Sequence, residues 1–157
     1  MIYRKTLRYL WKKDLRIILK IIERIYYLYM MNNNEITKVI HETLTRDDID
    51  ACYIFGSFLT NRFTEESDID IAILGNIELE DRLYIEGILE EKLGRAIDLV
   101  NIEELPKNMQ LQIVSRNKKV IFKDNENTDR YLYELNKWYK EEYPFWVKMQ
   151  REIGYEI

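Results

Sequence analysis

YIFGSFLTNRFTEESDIDIAIL (residues 53–74) ends one apolar run at Gly56-Ser57 and, after ten further residues, places Asp68 and Asp70 at the head of a second. Ile69, Ile71 and Ile73 alternate with polar or small residues, the two-residue period of a strand with a buried face. Alternate side chains of a strand share a side, so Asp68 and Asp70 project together. The isoleucines then line the opposite face and pack on helices. Two carboxylates held close in an apolar strand repel each other and are costly to strip of water. A divalent cation is the most natural relief.

A third carboxylate recurs in the same setting. Asp98 stands between Ile97 and Leu99 in AIDLVNI (96–102), which also reads as a strand. If that strand lies beside the second, Asp68, Asp70 and Asp98 converge. Oxygen ligands with open positions favour Mg²⁺, which keeps waters and takes its other ligands from substrate phosphates. Gly56, directly after the strand ACYIF (51–55), lets the backbone turn and approach a ligand closely. Ser57 would then open a short helix whose free N–H groups and hydroxyl suit phosphate oxygens.

The rest of the chain frames these strands. Leu7, Leu10, Trp11, Leu15, Ile18, Ile22, Ile25 and Leu28 recur three or four apart, predicting one amphipathic helix over 5–29. Asn32-Asn33-Asn34 offers a break or cap before a helix over 35–45, and 47–50 reads as a turn. Gly75-Asn76 ends the second strand, with Asn76 a candidate cap for a helix carrying Leu79, Leu83, Ile88, Leu89 and Leu93 and stopped by Gly94. A short helix over 107–116, a strand KVIF (119–122) and an aromatic helix over 128–143 follow, broken near Pro144, with a further helical turn beyond. This order predicts an α/β (α+β) fold: a small mixed sheet of about four strands flanked by helices. Three parts are expected: a basic helical extension over 1–30, the sheet domain over 31–126 and a C-terminal helical tail over 127–157.

Composition narrows the chemistry. The chain has 157 residues, enough for one domain with an appendage, and a single cysteine and a single histidine. Cys52 sits in an apolar run as a buried thiol, and His41 in a polar helix as a solvated side chain, so neither a thiolate metal site nor a histidine triad can be built. Residues 1–30 carry eight Lys/Arg against Asp14 and Glu23, a charge of +6, which leaves −10 for the rest of a chain of net −4. An acidic body argues against nucleic-acid binding. The most apolar run, IILKIIERIYYLYMM, is interrupted by Lys20, Glu23 and Arg24, short of the roughly 20 apolar residues of a membrane span. With no signal-peptide pattern and no membrane partner expected, the chain is expected in the cytoplasm.

Gly56-Ser57, ten residues and Asp68-x-Asp70, together with AIDLVNIEELP and LQIVSRNKKVIFKDN, resemble the minimal nucleotidyltransferase (MNT) domain of the DNA polymerase β-like nucleotidyltransferase superfamily. The resemblance spans about residues 35–124. It implies nucleotidyl transfer with two Mg²⁺ ions: Asp68 and Asp70 bind the metals that clamp an NTP, Asp98 completes the catalytic metal site and helps activate the incoming hydroxyl, and Gly56 and Ser57 hold phosphates. Members are commonly antitoxins that transfer AMP from ATP to a tyrosine of a HEPN-type RNase toxin. The resemblance implies that activity and that partner here. An acceptor of small-molecule, aminoglycoside-like type and a non-catalytic antitoxin acting by binding are the other readings.

The chain is not the toxin itself. The HEPN motif Arg-x(4–6)-His would need an arginine at Asn34, Glu35 or Ile36 before His41. It also departs from the family where a basic, glycine-containing run commonly follows Gly-Ser. Phe58-Leu59-Thr60-Asn61 stands there, and Arg62 is the first positive charge, expected to assist with phosphate. Residues 1–30 read as packed structure, a partner-binding arm, or sequence upstream of a start at Met31. Trp138, Tyr139, Tyr143, Phe145 and Trp146 read as packing or as a surface for the partner.

Overall fold

A computed structural model describes residues 15–26, 28, 31–115, 119–123 and 125–154. Helix α1 covers residues 15–26 and α2 Asn33–Leu44. Then follow β1 (Ile49–Phe55), β2 (Ile69–Gly75), α3 (Leu79–Leu93), β3 (Ile97–Asn101), α4 (Lys107–Ser115), β4 (Lys119–Lys123), α5 (Glu126–Glu141) and α6 (Tyr143–Glu152). The sheet runs β3-β2-β1-β4. β1 pairs antiparallel with both β2 and β4, while β2 and β3 are parallel. The expected four-stranded mixed sheet is therefore present.

Alternation along the strands assigns the two faces. Cys52, Ile54, Ile69, Ile71 and Ile73 are fully buried against Ile36, Ile40 and Leu44 of α2 and Leu89 and Leu93 of α3. Ala51, Tyr53, Ala72 and Leu74 point to the other face, under Ile113 of α4 and Tyr131 and Leu135 of α5. Burying the four isoleucine side chains from these two strands stabilises by about 1.5–3 kcal/mol each before entropy is counted. The sheet is thus covered on both faces. The parallel β2–β3 pair needs a crossover, and α3 supplies it.

Local signals set most boundaries. The Asn32 side chain accepts from Asn34 and Glu35 N–H while Glu35 reaches back to Asn32 N–H, a capping box that starts α2. Gly94, at φ 64°, ends α3 in the left-handed conformation. Asn125 caps α5 through Thr128 N–H, and Pro144 opens α6. Cys52 is buried, as expected, and His41 is exposed with its ring at the edge of Phe122.

Two expectations are corrected. Asn76 does not cap α3: Glu78 occupies the cap position without a side-chain bond, and Asn76 N–H donates to Asp48 O. The helix expected through Leu79, Leu83, Ile88, Leu89 and Leu93 is present, with Leu79 and Leu83 56% and 54% exposed. The buried stripe is Ile85, Leu89 and Leu93, continued backward by Arg82, whose guanidinium donates to Glu104 at 2.7 Å. Leu83 precedes Ile85 by two residues, about 200° around the helix, so both cannot face the sheet. Finally, β2 starts at Ile69, leaving Asp68 one residue outside the strand.

The described part of the N-terminal helix is present, but its apolar residues are left half-exposed. Leu7, Leu10 and Trp11 lie outside the described residues. Within α1, Leu15, Ile18, Ile22 and Ile25 are 48–61% exposed, although an apolar stripe normally faces the core. Arg24 reaches α3, where it pairs with Glu91 at 3.6 Å, and Leu28 packs at the core edge over Gly94. Among the described residues no helix is long and apolar enough to cross a membrane.

Candidate active site

Strand register brings the acidic residues together. Phe55, the last residue of β1, stands opposite Asp70 of β2, and Asp70 stands opposite Asp98 of β3. The adjacency required for three carboxylates to converge is therefore present. Asp70 is half-buried, and its carboxyl is pushed above the ordinary value by burial first and then by Asp68 and Asp98. Burial and the two neighbouring carboxylates both disfavour its charged form.

The phosphate-side half sits at the end of β1. The chain turns at Gly56 with φ 68° and runs through a short 3₁₀ turn, Gly56–Leu59. A Cβ on Gly56 would overlap Asp70 Oδ2 and lie 2.9 Å from its Cγ. Only glycine combines this backbone with so close an approach. Ser57 Oγ is buried without a hydrogen-bond partner among the described residues, an unmet polar atom on the turn after β1. The turn is closed by Thr60, whose N–H and hydroxyl both donate to Ser57 O at 2.9 Å. Phe58 anchors it in the core edge-on to Phe63, and Arg95 lies over Phe63 while donating to Thr64 O at 3.0 Å. The loop between the two halves is thereby pinned.

The donor set, carboxylate and hydroxyl oxygens around a glycine cradle, suits a hard cation and phosphate oxygens. Among the described residues no three Asp, Glu, His or Cys side chains already stand as a coordinating group. Arg62 lies in the exposed turn after the 3₁₀ segment, where its own N–H donates to Thr60 Oγ1. Among the described residues its guanidinium makes no ion pair, so the structure does not draw it to the carboxylates.

Residues 34–127 match the profile of the family described as Polymerase beta, Nucleotidyltransferase. The chain belongs to this family. As a nucleotidyltransferase it is an enzyme. A protein of Methanocaldococcus jannaschii named "Putative protein adenylyltransferase MJ1547" is 33% identical over 100 residues, 64% of this chain and 71% of that one. A second from the same organism, "Putative protein adenylyltransferase MJ0435", is 35% identical over 77 residues, 48% of this chain and 83% of that one. Two solved structures share the fold. A toxin–antitoxin structure with AMP-PNP has TM-score 0.59 at 21% identity, covering 78% of this chain and 95% of that one. A tri-AMPylated Shewanella oneidensis HEPN toxin in complex with MNT antitoxin gives TM-score 0.57 at 19% identity, covering 75% and 92%.

One feature of this nucleotidyltransferase escapes a sequence reading. A cavity of 750 Å³ opens beside Gly56, between α4 and the C-terminal helices, with Phe55, Gln112, Tyr139 and Tyr143 in its walls. The available signal was the four-residue spacing of Tyr139 and Tyr143, which periodicity alone assigns equally well to packing. Buried Gln110 ties the two walls together. It accepts from Tyr131 Oη at 3.0 Å and donates to Leu105 O at 2.7 Å, fixing α4 against α5.

Proposed function

We propose that this chain is an antitoxin-type protein adenylyltransferase that moves AMP from ATP to a tyrosine hydroxyl of a cognate HEPN-type toxin. The observation that carries the reading is the register of Asp70 beside Asp98 with Gly56 packed against Asp70. It is supported by the relatives named as protein adenylyltransferases and by the fold shared with an MNT antitoxin in complex with a HEPN toxin.

In this reading residues 31–126 form the catalytic unit, with the extension over 1–30 and the tail over 127–157 attached to it. Asp68, Asp70 and Asp98 hold two Mg²⁺ ions, whose chemistry is to neutralise the triphosphate and favour the ionised acceptor oxygen. Gly56 N–H, Ser57 N–H and Ser57 Oγ bind phosphate oxygens, with Arg62 as the first cation after the turn. The acceptor oxygen forms a bond to the α-phosphorus as the bond to the β-bridging oxygen breaks. Pyrophosphate leaves with that electron pair, and Asp98 receives the hydroxyl proton. No covalent protein nucleophile is needed, because positioning and charge lower the barrier.

The test is incubation with labelled ATP, Mg²⁺ and a helical protein carrying Arg-x(4–6)-His encoded beside this chain. Label on a tyrosine of that protein is expected, and the Asp68→Ala/Asp70→Ala double variant abolishes it. Absence of label with ATP, GTP, CTP and UTP alike would overturn the enzymatic reading. Full neutralisation of the toxin by the double variant would replace catalysis with stoichiometric binding.

A further inference from the structure

We infer that α1 is an assembly helix, its outward apolar face covered by the α1 helices of further copies of this chain. The inference is independent of the reaction proposed above. Over residues 15–26 the polar side chains Arg16, Lys20, Glu23 and Arg24 fall within about 100° of the helix circumference, and every other residue is apolar or aromatic. Arg24 turns this strip toward the body: its guanidinium donates to Glu91 O of α3 at 3.3 Å beside the ion pair with the Glu91 carboxylate. Ile22 and Tyr26, each two residues from Arg24, stand about 200° around the helix and face away. A surface helix of an isolated globular protein has the opposite polarity, apolar stripe inward and charges outward.

The size of the face calls for a stable cover. The eight apolar and aromatic side chains of α1 are each about half-exposed. Together they present close to the ~800 Å² that a standard interface buries on each partner. The largest apolar patch of an ordinary monomer is smaller, ~300–600 Å². An anionic lipid surface would repel the acidic remainder of the chain. Copies of this chain are instead complementary, each pairing a basic helix with an acidic body.

The pattern of the face fits other copies of itself. Leu15, Ile18, Ile22 and Ile25 step by three, four and three residues, the a and d positions of a heptad that packs knobs-into-holes. Leucine or isoleucine at a with isoleucine at d favours three or four helices over two. Leu19, Ile21 and Tyr26 fall at the flanking e and g positions, where a two-helix coil carries charges, so each helix has room for more than one neighbour. Arg16, Lys20, Glu23 and Arg24 fall at b, c and f, on the outside of such a bundle. The bodies of the copies then hang around it, on the side that the Arg24–Glu91 contact marks.

Light scattering of the full chain across a dilution series tests this, with far-UV circular dichroism as the check on folding. Wild type should show roughly three- or four-fold the monomer mass when concentrated and dissociate on dilution. Ile18→Asp/Ile22→Asp puts charge into the seam and should be monomeric throughout while keeping a folded spectrum. Leu15→Ser/Ile25→Ser, a milder change of the same seam, should lower the assembled fraction and guards against a folding defect in the first variant. Lys20→Ser, at the outer f position, should assemble as wild type does. A wild type that stays monomeric overturns the inference, whether the face then binds nothing, phosphatidylserine vesicles or a helical protein of another sequence. Assembly that persists in both seam variants overturns it too, because another surface then joins the copies. Both results leave the transferase reading untouched.

Discussion

Gly56 Cα rests against the Asp70 carboxylate so closely that a methyl group at Gly56 would occupy the position of Asp70 Oδ2. The contact joins the two halves of the site across the β1–β2 pair, where Phe55 and Asp70 face each other.

Gly56→Ala tests that contact directly. The new Cβ must displace Asp70, and φ of 68° costs a non-glycine residue about 1–2 kcal/mol. Adenylyl transfer is expected to fall at least roughly 100-fold, since a small misplacement of reacting groups costs that much. Labelled-ATP transfer checks the first expectation and a thermal melt the second.

Asp70→Asn should separate stability from activity. Burial, Asp68 and Asp98 raise the Asp70 pKa in the fold, so the fold favours its neutral form. The stabilising contribution is complete below the ordinary carboxylate value and is lost as pH rises through the raised folded value. At neutral pH without Mg²⁺ the variant should therefore melt higher than wild type, by roughly 1–2 °C. At pH 3 the gain should vanish. Mg²⁺ with ATP should raise the wild-type midpoint and leave the variant's unchanged, and transfer should be lost.

Ser57→Ala removes a buried hydroxyl that has no partner among the described residues. Leaving such a group unmet costs about 1–3 kcal/mol, so the thermal midpoint should hold or rise slightly. Affinity for tripolyphosphate with Mg²⁺ should drop about 10-fold, the worth of one hydrogen bond to a charged group. A loss of stability instead would mean that the hydroxyl serves the fold.

Deleting residues 1–27 should leave the domain folded. Leu15, Ile18, Ile22 and Ile25 are about half-exposed, so the core does not depend on them. The midpoint should stay within about 2 °C of wild type. Leu28→Ala in the full chain should cost about 1 kcal/mol, because Leu28 packs at the core edge over Gly94. Circular-dichroism melts of both proteins decide it.

The signals for the candidate site are local. Asp70 follows from the strand period although Asp68 falls just before the strand, Gly56-Ser57 follows an apolar run, and Asn32 and Gly94 announce helix ends over four or five residues. Arg62 was less legible: charge order along the chain marked it, yet the turn holds it exposed. Leu79 and Leu83 marked the helix, whereas only the sheet selects which stripe is buried. The apolar residues of α1 show the same limit, since periodicity reports a face and not what covers it.

By itself the sequence determined most of the elements, the residues facing each side of the strands, and the nucleotidyltransferase family. These follow from backbone period and residue type within one segment. Only the tertiary structure decided that β3 lies parallel beside β2 with Asp98 level with Asp70, and that α4 and α5 leave a cavity at Gly56. Those relationships depend on how α3 crosses over and how Gln110 locks onto Tyr131, contacts between residues distant in the chain that no local period encodes.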